Sequence, residues 1–379
     1  MFGSALTLIV VLFTLRHHGP FAIAAALVAL ELPVVLGSPL VGWLVDSWPN
    51  RRLMVVALAV QAATSAGLAF LLGNVAAAVL LLFLLGTGTA LTAPAASALI
   101  PQVTGEDAAT RGYALFATVR VAATLVGSTA GGVLVAGPGP RVALLIDAGT
   151  FAVQAGLLLL VHTERDPRGD PTPANTPGGH ALAGLGHLHR QRILLFAVLG
   201  LGVMVTAAVL VNVAEVFFVT AVLQAGAAVL GVLGTCWGLG MVAGSRLAGK
   251  LTSSRALIMG LCLGGMVMGA GLLAPAVAPT LPVTVLGWIA GGLGNGAQNV
   301  TVQALTRLHT PDPLRGRVFA ATGAILVTGS LSGTVLAAPV VATFGARTTL
   351  AAAGTGSLSA AIAVLLLLAK QLRGHNTTG

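Results

Sequence analysis

The chain reads as an all-α polytopic membrane protein made of two six-helix bundles, and three observations predict that class. Of its 379 residues 56% are hydrophobic and only 8% charged, with a mean hydropathy of +0.97, whereas soluble chains carry about 25% charged residues. Eleven apolar stretches reach the roughly 20 residues that a helix needs to cross about 30 Å of hydrocarbon. Short sequence features also recur at offsets of 202 to 206 residues. In lipid each span must satisfy its own backbone, which makes helices the only open choice.

The first segment, residues 1–15, falls short of the roughly 17 residues of a span and lacks the basic start and small-residue cleavage site of a signal peptide. It is expected to be the outer part of a first helix, which brings the total to twelve. Five full spans follow in the first half, at 20–45, 53–72, 75–100, 113–136 and 141–162. Six lie in the second, at 192–222, 228–249, 256–276, 281–305, 317–341 and 346–369. The expected organisation is a bundle over 1–162, a linker over 163–191, a bundle over 192–370 and a tail over 371–379. The linker begins T-E-R-D-P-R-G-D-P-T-P and is too proline-rich to pack; its later part, from Ala181 to Arg192, is predicted to form a short surface helix.

Loops rich in Lys and Arg stay cytoplasmic. With the amino terminus inside, 14 of the 19 basic residues fall in cytoplasmic loops or the tail, leaving Arg16, Arg141 and Arg347 outside and Arg120 and Arg246 within spans. Both termini are then cytoplasmic, in a bacterial inner membrane. The formal charge of +9 is dispersed over these loops, without the clustered patch or aromatic platforms of a nucleic-acid surface; anionic lipid is the expected partner. His180, His187 and His189 have no cysteine or carboxylate cluster beside them, so no metal site is expected and these rings are read as solvated. Cys236 and Cys262 lie in different apolar segments and are not expected to pair.

The halves echo one another. Arg111-Gly112 recurs as Arg315-Gly316, Gly42 as Gly244, and Gly139-x-Arg141 as Gly345-x-Arg347. Near-constant offsets indicate duplication, and two parallel repeats about an axis normal to the membrane place a cavity near the midplane, with alternating access as the natural mechanism.

Between segments 2 and 3, G-W-L-V-D-S-W-P-N-R-R runs from Gly42 to Arg52. It resembles the loop signature of the major facilitator superfamily, G-x-L-x-D-R-x-G-R-K/R, matching at Gly42, Leu44, Asp46 and Arg51, with Arg52 as a second base. It departs at Ser47, Pro49 and Asn50. The resemblance implies the major facilitator fold and a charge lock that stabilises one transport state; the corresponding stretch of the second half has Ala248 in place of the acid, which predicts a one-sided lock. A-P-A-A-S-A-L-I-P (Ala93 to Pro101), I-D-A-G-T-F (Ile146 to Phe151) and R-G-R-V-F-A (Arg315 to Ala320) resemble the branch that contains macrolide-efflux and enterobactin-exporter proteins. In segment 5, Gly127, Gly131 and Gly132 resemble the antiporter motif G-x-x-x-G-P-x-x-G-G, with Ser128 in place of its proline; a well-packed helix pair is the alternative, because small residues let helices approach closely.

Ionisable residues inside spans are costly and mark ion or substrate paths. Glu31, about 16 Å into segment 2 at 1.5 Å per residue, is the leading proton carrier, and a structural carboxylate is the alternative. Arg120 is a possible partner for it or for an anionic substrate group. Glu215, beside Asn212, Phe217 and Phe218, is a further coupling candidate. Asp147, near the outer end of segment 6, is read chiefly as structural. Neutral polar residues on segments 4 and 10, namely Thr89, Asn295, Gln298, Asn299 and Gln303, are the substrate-cavity candidates, along with Thr87, Thr92 and Thr301.

No P-loop, G-x-S-x-G elbow or H-E-x-x-H helix is present in the sequence, so neither an enzyme nor an ATP-driven pump is expected, and no cofactor is required. The expectation is a monomeric secondary transporter that exports an amphipathic small molecule of drug, macrolide or siderophore type in exchange for protons. An importer or lipid flippase of the same fold, and a transport-inactive sensor or scaffold, are the alternatives.

Overall fold

A computed structural model describes residues 2–105, 108–161 and 185–374, without the side chains of 2, 38–40, 42, 46, 110, 313 and 369–374. Among the described residues there is no strand. The helices are α1 (Phe2–Leu15), α2 (Pro20–Leu36), α3 (Ser38–Ser47), α4 (Asn50–Leu71), α5 (Val75–Thr104), α6 (Ala109–Ala136) and α7 (Pro140–Leu160). They continue as α8 (Arg192–Phe217), α9 (Ala227–Ala248), α10 (Ser254–Val277) and α11 (Leu281–Leu308). A final stretch, Arg315–Gly374, is broken at Gly345 (φ 78°, ψ 166°) into α12 (315–344) and α13 (346–374). Counting that stretch once, eight helices among the described residues are long and apolar enough to cross a membrane.

Most spans coincide with the predicted ones, but segment 2 is divided. Pro33 cannot donate to the carbonyl of Ala29 and Pro39 cannot donate to that of Val35, so the ladder loses two rungs six residues apart; α2 and α3 meet at Gly37, whose backbone stays right-handed (φ −78°, ψ −9°) and still donates to Pro33 O and accepts from Val41 N. At the other extreme α8 tightens into no turn at all: it widens into a π-helical turn over Phe218–Val222. The later part of the linker does form a short helix, over 185–190. Residues 162–184, and with them His180, lie outside the described residues.

The chain divides into two compact units, Met1–Ala174 with Gly226–Thr235, and Asn175–Ala225 with Cys236–Gly379. In the first, α4 packs on α5 and α7, α2 on α5, and α1 on α6 and α7. In the second, α10 packs on α11 and α13, while α8 lies along both α12 and α13. The pairings correspond: α4 with α7 in one half matches α10 with α13 in the other, and α4 with α5 matches α10 with α11.

The helix starts repeat as well. Gly139 (φ 96°) and Gly345 (φ 78°) adopt the left-handed backbone that glycine tolerates best. Two residues later Arg141 stacks over the Phe70 ring at the end of α4, 4.3 Å from its centroid. Arg347 turns back to the end of α10, donating from Nε to Ala276 O at 2.6 Å and from Nη2 to Val277 O at 3.1 Å.

Cores are built from Leu, Ala and glycine contacts, with Leu6, Leu68, Leu82, Leu144 and Phe151 nearly inaccessible in the first unit and Met204, Leu272 and Trp288 in the second. Large apolar side chains are exposed along the helices, including Phe70, Leu115, Leu160, Leu286 and Phe344. Such a surface would aggregate in water and suits hydrocarbon.

Candidate functional site

Asp147 sits 7 residues into α7 and is fully buried. Its Oδ2 accepts from Thr7 Oγ1 of α1 at 2.6 Å and from Ser65 Oγ of α4 at 2.8 Å. Ser65 Oγ also lies 3.1 Å from Leu144 O. Three helices therefore converge on one carboxyl. Gly3 permits that approach, because a Cβ there would strike Asp147 Oδ1 and stand 2.8 Å from the Phe151 ring. Oδ1 has no partner among the described residues. The cation nearest in sequence, Arg141, is committed to Phe70. Asp147, expected near the outer end of its segment, is joined to Thr7 and Ser65, which are ordinary hydroxyls in apolar sequence until packing brings them together.

A cavity of about 100 Å³ lies in the same unit, bounded in part by Ser4 and by Phe151, one turn after Asp147. Its polar lining includes Gln61, Thr89, Thr92 and Gln154, and its apolar lining Met54 and Phe116. Gln61, almost fully buried, donates from Nε2 to Thr89 Oγ1 at 3.0 Å, so Thr89 is held by α4 as well as by its own helix. Thr87 and Thr92 return their hydroxyls to Phe83 O and Thr89 O.

The other candidates separate. Glu31 is half-buried in α2, two residues before Pro33, and Arg120 is exposed on α6. In the second unit Glu215 is half-buried and accepts from the indole Nε1 of Trp288 at 3.4 Å, one turn ahead of the π-turn. Gln298 is buried and directs Nε2 to Met204 Sδ at 3.0 Å, while its Oε1 has no partner among the described residues. Asn299 donates to Asn295 O at 3.0 Å on the same helix. Gln303 is exposed and Thr301 returns its hydroxyl to Ala297 O.

In the first turn of α4, Arg51 has a defined task. Its Nε donates to Leu158 O at 3.1 Å, and Nη2 to Leu159 O, so a cation closes on the carbonyl end of α7. Arg52 is exposed, and the side chain of Asp46 lies outside the described residues. On α6, Gly131 lies against Leu6 and Ile9 of α1, and Gly132 meets Gly231: a Cβ at Gly132 would stand 2.5 Å from Ala227 O. Thr129 and Thr235 join the same crossing at 2.6 Å. Gly127 is buried.

The histidines differ from the solvated reading in one case. His187, in the short helix, lies 3.2 Å from His309 O, next to the buried Leu188, whereas His189 is exposed. No group of three His, Cys, Asp or Glu among the described residues could hold a metal ion. Cys236 and Cys262 are free.

A profile described as Major Facilitator Superfamily matches residues 1–226. The chain belongs to the major facilitator superfamily. It is accordingly a multi-pass membrane protein with a transporter fold, and solved structures agree in architecture. It is similar to the nucleoside transporter NupG, with a TM-score of 0.74 at 14% identity over 97% of this chain and 98% of that one. A POT family transporter in complex with 5-aminolevulinic acid gives 0.72 at 10% identity over 97% and 93%. A structure described under substrate recognition in proton-dependent oligopeptide transporters gives 0.69 at 15% identity over 98% and 96%. At these identities the likeness is one of fold. No curated protein matches the chain in sequence.

Proposed function

We propose that this major facilitator protein is a secondary active transporter that exports an amphipathic small molecule in exchange for protons, with Asp147 as the proton-binding group of the first unit. The observation that carries the reading is the buried Asp147 carboxyl, held on one oxygen by Thr7 and Ser65 while the other has no hydrogen-bond partner among the described residues. Ionisable groups are retained inside membrane bundles at a cost that proton relays and substrate paths justify. Gln61, Thr89 and Gln154 stand beside Met54 and Phe116 around the small cavity of the first unit, a mixed lining of the kind that suits an amphipathic cargo once the cavity widens in transport. Export is supported by the resemblance of Ala93 to Pro101, Ile146 to Phe151 and Arg315 to Ala320 to the macrolide-efflux and enterobactin-exporter branch. Glu215, capped by Trp288, is the second carboxyl to test; Glu31 ranks below both. The protein works as a monomer in the cytoplasmic membrane, both termini inside.

Import is the second reading, and the nucleoside and oligopeptide transporters that share the fold make a polar solute its cargo to test. The deciding experiment drives dye accumulation in inverted vesicles with a proton gradient. Accumulation that a protonophore abolishes, and that Asp147→Asn removes while dye binding persists, is the expected result. Uphill accumulation at the wild-type rate in Asp147→Asn excludes that residue as carrier, and accumulation only in right-side-out vesicles reverses the direction.

A further inference from the structure

At one end of the second unit a cavity of about 640 Å³ opens among the turn after α9, the start of α10, the last turns of α11 and the start of α12. Its walls have two characters. Leu257, Val300 and Phe319 are apolar; Gln303, Arg307 and Arg315 are polar. Arg307 is exposed and has no acceptor among the described residues. Arg315 gives Nη1 to Asp312 at 2.6 Å, and its buried Nε has no acceptor there. Among the described residues Asp312 thus pairs with Arg315 alone and leaves the Arg307 guanidinium without a carboxylate, with Lys250, Arg255 and Arg317 close by in sequence.

We propose that this cavity holds the phosphate headgroup of an anionic phospholipid, with Arg307 and Arg315 on the phosphate and the apolar wall against the first acyl carbons. A guanidinium fork matches phosphate geometry and is more weakly hydrated than an ammonium. Basic pockets between helices at the cytoplasmic end of a membrane bundle suit such headgroups. A free phosphate ion would satisfy the arginines but leave Leu257, Val300 and Phe319 wet, so a ligand with both parts fits better. The cavity lies where apolar helices end, which is where lipid headgroups begin. Its assignment to the inner leaflet rests on the loop orientation inferred from basic residues; binding itself does not, nor does it depend on the transport reading.

The test uses the full-length protein in phosphatidylcholine nanodiscs and in detergent, and counts bound dioleoylphosphatidylglycerol by native mass spectrometry. One retained phosphatidylglycerol, bound in preference to phosphatidylcholine, is expected. Arg307→Gln should weaken it about fivefold, and Arg307→Gln with Arg315→Gln about 25-fold, from the attraction per basic residue near an anionic surface. Because Arg307 is exposed, its single variant keeps the test free of folding effects. Lys250→Gln with Arg255→Gln removes equal charge outside the cavity and should change binding less than twofold. An equal loss in that control pair would show diffuse attraction and overturn the site. Displacement by millimolar inorganic phosphate as effective as by the lipid would overturn the lipid assignment in favour of a free anion.

Discussion

Asp147 illustrates how one side chain can organise a membrane bundle. Its two donors come from α1 and α4, so the carboxyl ties three helices through a single oxygen. Hydrogen bonds inside membrane proteins average about 0.6 kcal/mol by double-mutant cycles, and those to charged groups reach about 1.5 to 3 kcal/mol. Thr7→Val and Ser65→Ala should each lower unfolding free energy by about 1 kcal/mol, measured by thermal or denaturant unfolding in detergent. The double variant should depart from additivity, because both hydroxyls serve Oδ2 and neighbouring sites couple. Strict additivity would show that the two bonds act independently. Of this constellation the sequence displayed the carboxylate alone. Serine and threonine are common in spans, and nothing in their spacing distinguishes Ser65, which reaches Asp147, from Thr64, which returns its hydroxyl to Val60 O.

At the scale of elements, glycine decides how close helices come. A Cβ on Gly271 would lie 2.5 Å from Gly287 O, one on Gly264 2.9 Å from Gly294 O, and one on Gly269 2.7 Å from Gly354 O. These contacts set α10 directly against the backbones of α11 and α13. Gly271→Leu should therefore force the helices apart and cost about 1 to 3 kcal/mol, as overpacking does. Gly149→Ala offers the contrast. A Cβ there meets nothing within 4 Å, and alanine should stabilise α7 by up to about 1 kcal/mol through helix propensity. A comparison of unfolding midpoints for the two variants checks both signs; equal effects would refute the packing argument. Segment 2 shows the complementary limit. Its apolar length predicts one span, while the two prolines that interrupt its ladder are plain in the sequence but leave no mark on hydropathy.

For the whole molecule, orientation follows from the distribution of arginine and lysine. Thr252, at the turn after α9, and Ala278, just past α10, are both exposed and lie at opposite ends of α10. With Cys236 and Cys262 replaced, Thr252→Cys should react with an impermeant maleimide only in inverted vesicles, and Ala278→Cys only in intact cells. The reverse pattern would invert the topology, the direction of export and the leaflet of the anionic cavity together.

Composition, span lengths and the 202-to-206-residue echo determined the membrane environment, the helical class and the duplicated plan, because lipid leaves only helices and closed barrels, apolar runs of about 20 residues fit the first, and a repeated sequence tends to fold twice alike. Gly139 and Gly345 were legible for the same reason: each ends one helix and begins another in both halves. Tertiary structure decided which polar residues meet. It joined Asp147 to Thr7 and Ser65, Glu215 to Trp288, and Arg51 to the carbonyls of α7, partners 73 to 140 residues apart in the chain. Such pairings depend on helix rotation and crossing, which small-residue contacts set at each interface, and hydropathy along a single helix carries no record of them.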